Sequence, residues 1–233
     1  MTQSKQEFNR YFHRQIELWG EDTQNQLQNK TIAIIGAGGL GSSIAFSLGA
    51  SGVGTIHVVD FDEIDTHNIH RQIAFKTGDE GKSKADVNVE VMKQRCPFVD
   101  AFSHKCDFLK WCKKDIKVDL IIDATDNLQT RADINNYAKQ NSIPWIYGSV
   151  EAFHGQVAFM QDSSFNDIFK IKNNKPAGVA TPIVLHVASL QANLAIRYLT
   201  NLSVKKDILY YLFFNNEGEL VTQKFNLPKQ QPK

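Results

Sequence analysis

The hydrophobic residues near the start of the chain recur at helical spacing. Phe8, Phe12, Ile16 and Trp19 stand three and four apart with Lys, Arg, Glu and Gln between them, which predicts an amphipathic helix ending near Gly20. The rhythm then shortens to that of strands. Thr31-Ile-Ala-Ile-Ile35 is a β-branched run that stops at glycine, and Thr55-Ile-His-Val-Val59 is a second one that ends in Asp60. Residues 40–51 between them read as a helix of small residues. Helical patterns return over 82–95, closed by Pro97, and over 128–140. A weak strand is predicted over 101–106, a stronger one over 118–122 ending in Asp123, and another over 142–147.

Strands alternating with helices at this spacing predict βαβ units and a parallel, doubly wound sheet. After Gly148 the pattern changes. Residues 156–161 and 208–214 are strand-like without a crossover helix to pair them in parallel, and Asn215-Asn-Glu-Gly218 turns into a further strand at 220–225. A long helix is predicted over 183–199. The expected architecture is α/β: a Rossmann-like, mainly parallel doubly wound sheet with an antiparallel C-terminal extension. The chain divides as one domain over 1–233. Within it lie an N-terminal helical segment at 1–29, a βαβ core at 30–150, an extension with its helix at 151–227 and a loose tail at 228–233.

Composition removes some classes of function. Lys and Arg number 26 against 25 Asp and Glu, a net charge of +1, so nucleic acid and anionic membrane are not expected as principal partners. Cys96, Cys106 and Cys112 are an odd set with no C-x-x-C pair, which fits reduced thiols in the cytoplasm. The first twenty residues carry no apolar core of a secretory signal. Two uncharged stretches, 31–59 and 177–196, are broken by glycines in one case and by His186, Gln191 and Asn193 in the other, so both read as protein core rather than membrane spans.

The chemistry starts at Gly36-Ala-Gly-Gly-Leu-Gly41, which follows a strand and opens a helix. Gly36 permits a tight turn, Gly38 lets backbone approach phosphate oxygens, and Gly41 lets helix and strand pack closely, while the helix N-terminus favours an anion. Asp60, at the end of the next strand, is placed to accept from ribose hydroxyls. Alone, this fingerprint favours NAD. Three further segments shift the reading to a triphosphate: Asp62-Glu-Ile-Asp-Thr-His-Asn-Ile-His-Arg-Gln72, Gly81-Lys-Ser-Lys84 and Asp123-Ala-Thr-Asp-Asn127. Cations that neutralise phosphates and a strand-end carboxylate able to hold Mg²⁺ are what nucleotidyl transfer requires.

These segments resemble the ThiF/MoeB/HesA family, bacterial relatives of the ubiquitin-activating enzymes. Further matches are His13-Arg-Gln-Ile16, Gly52-Val-Gly54, Gly155-Gln-Val157, Ala177-Gly-Val179 and Ser189-Leu-Gln-Ala192, in family order along nearly the whole chain. The resemblance implies an adenylyltransferase using ATP and Mg²⁺. Its partner is a small ubiquitin-like sulfur carrier ending in Gly-Gly, whose C-terminal carboxylate attacks the α-phosphate, in the service of thiamine or molybdopterin biosynthesis. It also implies roles. Gly39 would contact the nucleotide and Asp60 the ribose, with Asp62 and Asn127 in the same binding set. Asn68, Arg71 and Lys84 would hold phosphates, and Asp126 would act on Mg²⁺ and the reacting centre. Arg14 would reach the partner subunit's nucleotide in a homodimer.

Each role competes with a plainer one. Arg14, Arg71 and Lys84 are residue types usually solvated, and Asp126 could cap the helix that begins near Asn127. His67, His70 and His154 lack the carboxylate or thiol spacing of a metal site. The chain also departs from its relatives. Many carry two C-x-x-C pairs for structural zinc, but here the corresponding stretches read Asp162-Ser-Ser-Phe165 and Pro228-Lys-Gln-Gln231. The region 174–181, where some members use a covalent cysteine, has none either. Adenylylation alone is therefore expected, with a separate sulfurtransferase for the later step. Phe153-His-Gly-Gln-Val157 and Thr130-Arg-Ala-Asp-Ile134 lean towards the thiamine branch. The alternatives are activation of a non-protein carboxylate, as by the tRNA threonylcarbamoyladenosine dehydratases, and a non-catalytic activating-enzyme-like subunit.

Overall fold

A computed structural model describes residues 4–169 and 178–229. Ala177, Asn174 and the last four residues of the expected tail lie outside the described residues.

The N-terminal amphipathic stretch forms two helices rather than one, α1 (Lys5–Tyr11) and α2 (His13–Trp19). Ser4 opens α1 with a reciprocal capping box to Glu7. Phe12 leaves helical geometry, at φ −94° and ψ 15°, and its ring packs on Phe8 and Phe98 and against Gly52. Burial of that one ring divides the helix, with no Pro or Gly to break it. A third helix, α3 (Glu21–Gln28), follows. Its sequence is almost wholly polar, and it is anchored by buried Leu27 and by Gln24, whose amide accepts from Gln15 and Trp19 and donates to the Ser51 carbonyl.

The remaining elements run β1 (Thr31–Ile35), α4 (Gly39–Ser51), β2 (Thr55–Val59), α5 (Thr66–Ile69), α6 (Lys84–Arg95), β3 (Asp100–His104), α7 (Phe108–Cys112), β4 (Leu120–Asp123), α8 (Leu128–Gln140), β5 (Trp145–Glu151), β6 (His154–Met160), α9 (Phe165–Ile168), α10 (Thr181–Leu199), β7 (Ile208–Phe214) and β8 (Leu220–Asn226). All eight strands form one sheet in the order β3-β2-β1-β4-β5-β6-β7-β8. The first five are parallel and the last three antiparallel, which is the expected Rossmann-like sheet with its extension. β1 and β4 are buried on both faces, so they read as unbroken apolar runs. β5 starts three residues later than expected and continues through Gly148 to Glu151, because its second half pairs with β6.

One core lies between the sheet and α4, α6 and α10. A second lies on the opposite face under α7, α8 and α9. Chain order reverses between β1 and β4, where Ile35 stands in register with Asp123. Open α/β sheets bind ligands at such a switch point, beyond the carboxyl ends of the strands.

Candidate active site

The glycine turn leaves β1 at this switch point. Gly36 has φ +96° and donates its N–H to the Val59 carbonyl at 2.8 Å. A Cβ there would stand 2.6 Å from the Ala124 carbonyl oxygen beyond β4, so the turn and the β4 loop touch backbone to backbone. Gly38 occupies the N-cap of α4 and no side chain caps the helix, which leaves its first-turn N–H groups available to an anion. A Cβ on Gly39 would lie 2.9 Å from Val184 of α10 and 3.4 Å from the Arg71 carbonyl, so the cradle is roofed closely by two other parts of the chain.

Asp60 closes the cradle from the β2 side. Its carboxylate accepts from the N–H of Ala37 at 2.6 Å and from that of Asp62 at 2.7 Å. Burial pushes the Asp60 carboxyl above its ordinary range, opposed by those two N–H groups and by the Lys84 charge. Lys84 is the buried first residue of α6, with Nζ 2.8 Å from Asp62. Buried Asn88, one turn further along α6, donates to the Ala37 and Lys84 carbonyls at 3.2 and 3.0 Å.

The segment around α5 supplies the next cation. Asp65 caps this short helix, and Arg71 donates from Nη2 to Asn68 Oδ1 at 2.7 Å. Thr181, at the start of α10, donates to the His70 carbonyl at 2.9 Å, so α10 is docked onto the same segment. Buried Gln72 beside Gly38 leaves its Oε1 without a partner.

The loop after β4 carries the acid. Asn127, not Asp126, caps α8, with Oδ1 accepting from the Thr130 N–H at 2.9 Å. Asp126 is exposed and has no hydrogen-bonded or ionic partner among the described residues. Behind it, Asp123 is fully buried. Burial pushes its carboxyl up, and Arg131 and Thr125 oppose the shift.

The structure therefore brings the four glycines, Asp60, Asp62, Lys84, Asn68, Arg71 and the loop of Asp126 and Asn127 to one crevice. Arg14 is elsewhere. It is 89% exposed and paired with Glu17, on a helix whose neighbour Phe12 packs at Gly52, the far end of α4. Thirteen helical residues separate that end from the cradle, about 20 Å. Asn88 and Arg131 escape a reading for reactive motifs. Their signal is positional: each places a polar group within a buried helix stripe, Asn88 among Ala85, Val89 and Met92, and Arg131 with Ala132, Ile134 and Ala138.

The exposed carboxylate of Asp126, near an uncapped helix N-terminus, fits Mg²⁺, which is commonly held by one or two acids together with substrate phosphates. Structural zinc does not fit. No cluster of three or more His, Cys, Asp or Glu stands among the described residues; around 161–163 Asp207 gathers the N–H groups of Gln161, Asp162 and Ser163 at 3.0–3.1 Å, and Lys229 pairs with Asp162 at 3.1 Å. Two cavities of about 530 and 310 Å³ border Ser142–Pro144 at the opposite end of the sheet and contain none of the predicted site residues.

Fold and crevice together define a doubly wound α/β protein whose glycine turn lies between an acid-bearing loop and two cations. The chain belongs to the ThiF family, which matches residues 12–233. It is 31% identical to the adenylyltransferase and sulfurtransferase MOCS3 of Caenorhabditis briggsae over 99% of this chain and 60% of that protein. It is likewise 31% identical to the sulfur carrier protein ThiS adenylyltransferase of Escherichia coli K12, over 78% of this chain and 76% of that one. The chain thus spans about 60% of the length of relatives such as MOCS3. Among solved structures, PaaA superposes with a TM-score of 0.81 at 20% identity, over 97% of this chain and 75% of PaaA, a likeness of fold. No described helix is long and apolar enough to cross a membrane.

Proposed function

We propose that this chain is an adenylyltransferase that activates the C-terminal glycine carboxylate of a small sulfur carrier. The carboxylate oxygen attacks the α-phosphorus of ATP. A new C–O–P linkage forms, the bond from the α-phosphorus to the bridging oxygen breaks, and pyrophosphate leaves with that electron pair. Such a step asks the protein for positioning and charge neutralisation rather than covalent chemistry. The observation that carries the reading is the convergence of Arg71, Lys84 and Asp126, which has no hydrogen-bonded or ionic partner among the described residues, around an uncapped helix N-terminus.

In this reading the N–H groups of the cradle receive phosphate oxygens and Asp60 receives the ribose. Asp62, Asn68 and Asn127 belong to the same binding set. Arg71 and Lys84 offset charge on the triphosphate and the departing pyrophosphate. Mg²⁺, when bound, supplies further charge neutralisation of the phosphates, with Asp126 as its protein ligand. Arg14 serves the site of the second subunit of a homodimer. The whole chain acts as one unit in the cytoplasm, where its three cysteines stay reduced. A separate sulfurtransferase completes sulfur loading. The thiamine branch is preferred over molybdopterin, in keeping with the name of the E. coli relative.

The test is exchange of labelled pyrophosphate into ATP with purified ThiS-type and MoaD-type carriers ending in Gly-Gly. Exchange that depends on one of them is expected. No exchange with either overturns the proposal.

A further inference from the structure

We infer that Arg131 is a positioning residue that fixes the loop carrying Asp126 against the glycine turn. This inference rests on the nucleotidyl-transfer reading above. Arg131 projects from the first turns of α8 into the protein, 6% exposed, and makes a fork of contacts. Nε donates to Asp123 at 3.1 Å, Nη2 to the carbonyls of Thr125 and Gly148, the latter at 3.0 Å, and Nη1 to the Ser149 hydroxyl at 3.4 Å. The guanidinium also lies over the Tyr147 ring, 5.1 Å from its centroid. The other Asp123 oxygen accepts from Thr125 twice, from N–H at 2.9 Å and from the hydroxyl at 2.7 Å.

Thr125 is therefore held at three atoms, by the acid that precedes it and by the cation that follows it. It sits between Ala124, whose carbonyl abuts Gly36, and the exposed Asp126. Among the described residues Asp126 has no hydrogen-bonded or ionic partner to set its place, so its place is set through Thr125. A buried ion pair is no more stabilising than well-packed apolar residues of equal volume, so stability alone does not account for this one. The planar fork does something an apolar side chain cannot. It ties the end of β4, the loop beyond it and β5 into one rigid edge of the crevice. A shift of about 1 Å in a group that meets the reacting centre costs on the order of 100-fold in rate.

The experiment uses the intact chain with purified ThiS-type and MoaD-type carriers. Arg131→Lys keeps the charge opposite Asp123 and loses the fork. Melting within a few degrees of the unaltered chain is expected, with an ATP dissociation constant within about twofold and a kcat for carrier-dependent exchange lowered roughly 100-fold. Adding Asp126→Asn to Arg131→Lys is expected to cost little more, because both act through one group. If the two losses multiply, or if Arg131→Lys keeps its kcat, the inference is overturned. Should Arg131→Lys fail to fold, the neutral pair Asp123→Asn/Arg131→Met leaves no uncompensated buried charge. Normal exchange in that pair overturns the inference, and a folded but slow enzyme supports it. Absence of exchange in the unaltered chain overturns the nucleotidyl-transfer reading, and this inference with it.

Discussion

Lys84 and Asp62 form an ion pair of unequal burial: Nζ lies 2.8 Å from Oδ2, with the lysine side chain 8% exposed and the aspartate 49%. Removing the lysine leaves an acid that water can solvate, whereas removing the acid would leave a buried cation alone. Lys84→Met should therefore fold with a melting temperature close to that of the unaltered chain and lose its response to nucleotide. The measurement is the melting shift produced by Mg-ATP, since a ligand stabilises a fold according to its concentration over its dissociation constant. An unchanged shift would remove Lys84 from the binding set.

Asp126 offers the opposite separation. It is exposed and has no hydrogen-bonded or ionic partner among the described residues, so Asp126→Asn should leave melting unaltered. Carrier-dependent pyrophosphate exchange should drop by about 100-fold or more, as expected when charge stabilisation at the reacting centre is lost. Loss of stability instead of rate would mark it as a structural residue.

Gly41 cannot accept any side chain, because a Cβ would stand 1.9 Å from the Gly36 carbonyl oxygen. Gly41→Ala should force the glycine turn and α4 apart and destabilise the chain by roughly 3 kcal/mol, read as a lowered urea midpoint. A midpoint equal to that of the unaltered chain would show that helix and turn separate freely.

Arg14 tests the homodimer. Within one chain it lies at the wrong end of α4, so the proposed role needs a second copy. Arg14→Ala and Asp126→Ala should each be inactive alone. Mixed after co-refolding, they should recover about a quarter of the sites, since half the dimers are mixed and each of those holds one intact site. No recovery on mixing would confine Arg14 to its own surface.

Asp207 gives a pH dependence. Burial would raise its carboxyl, but the N–H groups of Gln161, Ser163 and Asp162 outweigh it and hold the group below the ordinary value. A depressed acid stabilises the fold above its unfolded pKa of about 3.9 and ceases to do so as pH falls through the folded value. The melting difference between the unaltered chain and Asp207→Asn should be constant from neutral pH to about pH 5 and shrink below about pH 4. A difference that grows on acidification would contradict this.

The parallel core was legible because β1 and β4 are buried on both faces and its helices are long enough for a period to register, while β3, with one face exposed, reads only weakly. The glycine turn and Asp60 could be found because each lies just beyond a strand, whereas the Asn68–Arg71 segment, on and after α5, was reached through the resemblance of its motif. Short α5, α7 and α9 have too few residues to show a period, and α3 is held by one leucine and a glutamine amide rather than by an apolar stripe. The break at Phe12 arises from where its ring is buried, which depends on Phe98 and Gly52 far along the chain. Asn88 and Arg131 were hidden for the same reason, since a supporting residue is recognised only by what it touches. Asp207 was equally invisible, because its three amide donors belong to a turn more than forty positions earlier.

In that clasp one carboxylate holds three successive amides of the turn after β6, so its loss or protonation would free all three at once and loosen the approach to β7.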